Sequence, residues 1–204
     1  MSPFVWAKSL PGFLNQKTNG ETLRWGMANG WCSARRKTNG VEQALAWGAD
    51  AVWLVDADQV CEEDTLARLL AHYRAGRAPI GALQPARGSF GALTERPYQP
   101  VCWNEQGKPF TPTEVQKVMY GPLNCILLPM AVFTFLKQPW FSERYDPETM
   151  ERKGSLDPHF TKKLWDSGTP LWVDPTIRPK HLNDSEIDWT WQYAFTDPSD
   201  SRDS

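Results

Sequence analysis

Ala51-Val52-Trp53-Leu54-Val55 runs straight into Asp56-Ala57-Asp58. An apolar run this short, with β-branched Val52 and Val55, predicts a strand buried on both faces, as in a parallel sheet. It stops abruptly at two carboxylates one residue apart. In open α/β sheets, ligands sit outside the carboxyl ends of strands. Two carboxylates held together there are costly without a cation, and a hard divalent ion accepts their oxygens. The competing reading is a solvated loop in which one Asp caps the next helix. The switch from buried strand to paired acids, just before Glu62-Glu63-Asp64, favours the metal site.

The flanking segments agree with an α/β domain. Upstream, Ala34 to Trp47 places Val41, Ala44 and Leu45 on one helical face, with Gly48 as its C′ residue. Downstream, acids at 62–64 would complement a helix dipole, and Leu66, Leu69, Leu70 and Tyr73 recur at helical spacing. Ile80-Gly81-Ala82-Leu83 predicts a strand. The order helix, strand, helix, strand predicts a mixed, mostly parallel sheet flanked by helices.

Residues 84–118, rich in Gly and Pro, predict loops and short hairpins. Asn124 to Leu128 predicts a strand, and Met130 to Lys137 a short helix stopped before Pro139. Asp157-Pro158 reads as N-cap and first residue of a helix carrying Phe160 and Leu164 and closed by Gly168. Leu171-Trp172-Val173 predicts the last strand, with Ile177 and His181 beyond it.

Composition bounds the function. The 204 residues suit one domain, and 41% hydrophobic with 23% charged residues is ordinary globular composition. A net charge of −2 speaks against a generally basic nucleic-acid binder. The charge is nonetheless uneven. Residues 1–40 hold Lys8, Lys17, Arg24, Arg35, Arg36 and Lys37 against Glu21, whereas 183–204 hold Asp184, Glu186, Asp188, Asp197, Asp200 and Asp203 against Arg202. The start has no basic segment followed by a long apolar stretch, and no run reaches the roughly 20 apolar residues of a membrane span. The 4 Cys are scattered without a C-x-x-C, which fits free thiols in a reducing cytoplasm. The expectation is a cytoplasmic protein. The 11 Trp suit a large core and also a site that grips ring-shaped ligands.

Several ordered blocks resemble one family. Gly40-Val41, Ala44-Leu45, Gly48-Ala49-Asp50 and Leu54-Val55-Asp56-Ala57-Asp58 look like the nucleotide-sugar half of family 2 glycosyltransferases of the GT-A fold, especially short bacterial and phage-encoded members. Tyr120-Gly121 through Pro139-Trp140-Phe141 resembles the acceptor-side segment. Leu156-Asp157 to Phe160, then Asp174-Pro175 and His181, resemble the family's Glu-Asp-x-x-Phe helix and its terminal strand with a metal-binding His. The resemblance covers about residues 30–181.

The resemblance implies a single GT-A-like domain over 1–182, with a nucleotide and metal half at about 1–83, an acceptor half at about 84–182, and an acidic tail at 183–204. Asp58, with Asp56, would hold Mn²⁺ or Mg²⁺ and the nucleotide ribose, and His181 would complete the shell. Asp157 would be the general base for a hydroxyl acceptor, with inversion at the sugar. Arg35, Arg36 and Lys37, with Asp56, Ala57 and Asp58, would bind the nucleotide-diphospho-sugar donor. Trp140 and Trp103 are the candidates for stacking on sugar rings, the alternative for each being a place in the core. The family's Arg-Asn pair falls on Lys37-Thr38 or on Arg35-Arg36, depending on register. Leu156 stands where the family has Glu, and the family's opening strand would lie before Met1. These two departures motivate an alternative, a degenerate non-catalytic domain that binds carbohydrate or a partner. A sugar nucleotidylyltransferase would need a Gly-rich phosphate loop, and residues 1–40 hold none.

Overall fold

The structure, a computed structural model, describes residues 14–18, 20–30, 32–83, 102–145, 148, 152–154, 156–182 and 186–187. Its helices are α1 (Ser33–Ala46), α2 (Thr65–Arg74), α3 (Val132–Phe135) and α4 (Leu156–Asp166). Its strands are β1 (Ala51–Val55), β2 (Gln59–Val60), β3 (Ile80–Ala82), β4 (Cys102–Trp103), β5 (Pro109–Phe110), β6 (Gln116–Val118), β7 (Cys125–Pro129), β8 (Arg144–Tyr145), β9 (Arg152–Gly154), β10 (Leu171–Asp174), β11 (Lys180–Leu182) and β12 (Glu186–Ile187).

The main sheet has the order β1-β7-β3-β10-β6. Strand β7 pairs antiparallel with both β1 and β3, β3 pairs parallel with β10, and β10 pairs antiparallel with β6. The α/β expectation is met, but the parallel one is corrected. Strands β1, β3 and β10 do run the same way, and β7 is threaded between β1 and β3 in the opposite sense. A single sequence shows that a strand is apolar, not which neighbour it takes. Strands from the two expected halves thus interleave in one sheet.

Alternation along each strand divides the core into two layers. Ile126 and Leu128 of β7 enter the cluster with Val41, Ala44, Phe133, Phe160, Leu164, Leu171 and Val173. Cys125 and Leu127 point the other way, to Leu66, Leu69, Ile80 and Ile177. Helices α1, α3 and α4 therefore cover one face and α2 the other. It is β7 that is buried on both faces, whereas every residue of β1 is only half-buried. Trp53 of β1 and Trp172 of β10 pack against the α2-side cluster, as core tryptophans should.

Local chemistry explains the element ends. Cys32 is the N-cap of α1, its sulfur accepting the Arg35 N–H, and Gly48 takes the left-handed conformation at φ 67° that ends it. Leu45, expected on the buried face, is 43% exposed, because only Val41 and Ala44 meet the sheet. The acids 62–64 precede α2 rather than forming its first turn, with Asp64 as N-cap. Helix α3 is shorter than its apolar pattern suggested. Helix α4 starts at Leu156, so Asp157 lies in its first turn rather than at the cap.

A second sheet of order β12-β11-β2 brings the end of the described chain back onto the Asp56–Asp58 turn. The segment expected to be an acidic tail from 183 thus begins with a paired strand, β12. Residues 1–13 and 188–204 lie outside the described residues. Among the described residues no helix is long and apolar enough to cross a membrane. No disulfide joins the thiols of Cys32, Cys61, Cys102 and Cys125. Burial pushes the Cys102 thiol up to about 12, and a hydrogen bond with Cys125, then burial, raises that of Cys61.

Candidate functional site

Because β1, β3 and β10 run the same way, their carboxyl ends share one edge of the sheet. Asp56 follows β1 there, Asp174 ends β10, and the loop Gly121–Asn124 enters β7 at the same edge. Asp56 N–H donates to the Asn124 carbonyl at 2.8 Å, which extends the β1–β7 ladder one step past the strand. Gln59 N–H then donates to the Asp56 carbonyl at 3.1 Å and closes a turn around Ala57 and Asp58.

Two separate segments bond the backbone of Leu123, and a third joins them through Lys37. The Lys37 ammonium donates to the Leu123 carbonyl at 3.0 Å and to Asp56 Oδ1 at 2.7 Å. The Leu123 N–H donates to Asp157 Oδ2 at 3.3 Å. A carboxylate from α4 and one from the β1 turn are therefore tied to opposite ends of one residue. Lys37 is 8% exposed, while the Asp56 side chain is 42% exposed, so the cation is sealed in and the carboxylate still reaches solvent.

Gly121 allows that loop to approach the sheet. A Cβ there would lie 2.8 Å from Leu171 Cδ2 and 2.9 Å from Val118 Cγ2, both in the core. On the other side, β11 pairs antiparallel with β2 so that His181 stands opposite Gln59 and Lys180 opposite Val60. The backbone thus brings His181 to the neighbour of Asp58, a sequence separation that no local pattern reveals. Gln59 itself is 0% exposed. Its amide nitrogen donates to Asp58 Oδ1 at a long 3.4 Å, and its Oε1 has no hydrogen-bond partner among the described residues.

A second polar group locks the frame. Asp174 Oδ1 accepts from the Thr176 N–H at 2.8 Å and the Thr176 hydroxyl at 2.6 Å, and its Oδ2 faces His72 Nε2 at 2.8 Å. Arg68 bonds the same Thr176 hydroxyl. This joins α2, which follows the Asp56–Asp58 turn, to the segment that leads into β11. Burial alone would raise the Asp174 carboxyl, but the bonds from Thr176 and His72 outweigh it and hold the group below the usual aspartate range.

The basic triplet divides. Lys37 points inward, whereas Arg35 is exposed and 4.0 Å from Glu42, and Arg36 bonds Ser33. Trp140 is corrected as a sugar platform. It is 5% exposed, its Nε1 donates to the Leu136 carbonyl at 3.1 Å, and it meets Phe133 edge-on at 5.1 Å. Its ring belongs to the core because the Pro-Trp-Phe turn folds under α4. Trp103 is half-buried in β4, and its backbone bonds Met119 and Tyr120, just before the Leu123 loop. Among the described side chains no three His, Cys, Asp or Glu are gathered as a metal ion would need. The side chain of His181 is not among those described.

The sequence reasoning missed Leu123, Gln59 and the His72–Asp174 pair. Leu123 acts through its peptide group, which carries no side-chain signal. Gln59 was legible only as the residue after the carboxylates.

No family model and no curated protein matches this chain. Among solved structures it is similar to A197 from STIV, at 13% sequence identity and a TM-score of 0.53, over 76% of this chain and 70% of that one. At that identity the likeness concerns the fold alone: a mixed α/β sheet flanked by helices.

Proposed function

We propose that the chain is a GT-A-type, metal-dependent glycosyltransferase that moves a sugar from a nucleotide-diphosphate donor to a hydroxyl acceptor with inversion. The observation that carries this is that Lys37 and Asp157 bond the two ends of the Leu123 backbone while Lys37 also pairs with Asp56, beside a turn to which β11 returns His181. Segments far apart in sequence, each of which resembles a family segment, gather at the carboxyl edge of the main sheet and the small sheet beside it.

The donor chemistry fits a divalent ion. Asp56 and Asp58 supply hard oxygens from one turn, and the strand bearing His181 is locked in register to it. Asp58, Asp56 and His181 would hold Mn²⁺ or Mg²⁺, which supplies Lewis-acid stabilisation of the departing diphosphate. Lys37 neutralises part of the charge on Asp56 and keeps that carboxylate aimed along the loop. Arg35 and Arg36, exposed at the start of α1, add positive charge that a diphosphate can meet. Asp157 takes the proton as the acceptor oxygen bonds to the anomeric carbon and the bond from that carbon to the diphosphate oxygen breaks. Trp103 is the remaining aromatic candidate for contact with a sugar.

The test is a panel of nucleotide sugars, with and without Mn²⁺, scored by the rise in melting temperature that a ligand of the native state must cause. Transfer and donor hydrolysis are then followed in Asp58→Asn, His181→Ala and Asp157→Asn. Metal-dependent stabilisation should vanish in the first two. The third should still bind donor and lose transfer. Full activity in Asp58→Asn and His181→Ala would sink the assignment. Metal-independent binding of sugar without turnover would favour a non-catalytic carbohydrate-binding domain.

A further inference from the structure

The hairpin of β4 and β5, the edge strand β6 and helix α4 leave between them a cavity of about 460 Å³, lined by Asn104, Gln106, Phe110, Gln116, Lys117 and Trp165 among others. Its volume falls in the range of small-ligand sites, about 300–1,000 Å³. Strand β6 is the edge of the main sheet opposite β1. At a strand spacing of about 4.8 Å, the cavity stands about 19 Å across the sheet from the strand that carries Asp56. It shares no residue with the site at Leu123.

The walls are mainly amide and aromatic, and part of the polar lining is preset. Asn104 Oδ1 accepts the Gln106 N–H at 3.1 Å and the Lys108 N–H at 2.9 Å, and the Asn104 carbonyl accepts the Gly107 N–H at 3.0 Å. With its oxygen fixed in the hairpin turn, the Asn104 amide nitrogen has no partner among the described residues. Gln106 Nε2 donates to Glu105 Oε1 at 2.8 Å, which orients a second amide. The half-buried Gln116 side chain and the half-buried Trp165 indole N–H have no partner among the described residues either.

This lining selects its ligand. An amide offers a donor and an acceptor side by side, as a hydroxyl does in one atom. The Trp165 and Phe110 rings supply apolar faces, and the indole adds a polar tip. The lining holds one cation, Lys117, and one carboxylate, Glu105, so its formal charge is zero. The Lys117 ammonium is already engaged, 5.2 Å over the Trp172 ring. A phosphate would find no uncommitted cation here, and a hydrocarbon would strand the amides without hydrogen bonds.

We propose that this cavity is a binding site for a neutral oligosaccharide: the Trp165 and Phe110 rings lie against the C–H faces of sugar rings, and the Asn104 and Gln116 amides bond sugar hydroxyls. No metal and no donor nucleotide enter this binding, so it holds or fails apart from the transferase reading.

The test uses the full chain with a chelator present and no nucleotide sugar. Neutral oligosaccharides of glucose, mannose, xylose and N-acetylglucosamine are titrated by NMR, with adenosine and uridine as controls. The indole N–H resonance of Trp165 is identified by its loss in Trp165→Phe. At least one oligosaccharide should bind and shift that resonance. Trp165→Ala should weaken its binding about tenfold or more. Gln116→Leu, which keeps the volume and loses the amide, should weaken it about threefold or more. Absence of binding by every saccharide up to millimolar concentration overturns the proposal. So does binding that leaves the Trp165 resonance unmoved, or that both folded variants keep at native affinity. Binding of a nucleoside without binding of any saccharide overturns it in favour of base recognition. If circular dichroism shows that Trp165→Ala does not fold, Gln116→Leu decides: native affinity in that folded variant overturns the proposal.

Discussion

The Lys37–Asp56 pair makes an asymmetric prediction. At 2.7 Å and an effective dielectric near 20, the Coulomb attraction is about 6 kcal/mol. Most of that is offset by desolvation of the ammonium, and the 42% exposure of Asp56 screens more. A hydrogen bond to a charged group is worth about 1.5–3 kcal/mol net. Asp56→Asn leaves a cation that is 8% exposed facing a neutral amide, so it should cost about 2 kcal/mol. Lys37→Met leaves the carboxylate, which can rehydrate, and replaces the buried stem with apolar volume. It should cost about 1 kcal/mol, mainly through the lost bond to the Leu123 carbonyl. Urea denaturation of both single variants and the double variant measures this, and the singles should be non-additive by about 1 kcal/mol. If Asp56→Asn costs no more than Lys37→Met, or the two simply add, the ammonium is not the buried partner and the loop is not held as described.

Two further outcomes follow from the frame. The bonds from Thr176 and His72 hold the Asp174 carboxyl below the usual aspartate range in the folded chain. Its stabilisation is therefore present above the ordinary aspartate pKa and is lost as pH falls through the lower folded-state value. Asp174→Asn should lower stability at neutral pH by about 1–3 kcal/mol and flatten the acid limb of stability against pH; an acid limb as steep as the native one would contradict this. Gly121→Ala forces a Cβ against Leu171 and Val118, so it should cost about 1–3 kcal/mol in thermal or urea unfolding. A neutral result would mean the Leu123 loop does not sit this close to the sheet.

The amino-acid sequence determined most elements directly, for local reasons. The run 51–55 read as a strand from its length and β-branched residues, Gly48 and Gly168 closed helices by taking positive φ, and the spacing of Phe160 and Leu164 put them on one buried face. Such signals depend on residues a few positions apart. The same locality explains the misses. Leu45 fits the helical period but faces solvent, because the period does not say how wide a face the sheet covers. Trp140 had the chemistry of a sugar platform, and only the packing of Phe133 against it showed where the ring goes.

The candidate site was half legible. Asp56 and Asp58 could be named from residue type and their place after a predicted strand, whereas Asp157 and His181 were named through the family resemblance. Their proximity could not be read in either way. It depends on an antiparallel β7 beside β1, on the β11–β2 register, and on a peptide group at Leu123 that joins Lys37 to Asp157. Long-range pairing and main-chain hydrogen bonds leave no trace in side-chain pattern. Sequence therefore specified the chemical groups and the elements that carry them, and tertiary structure alone decided which of those groups face one another.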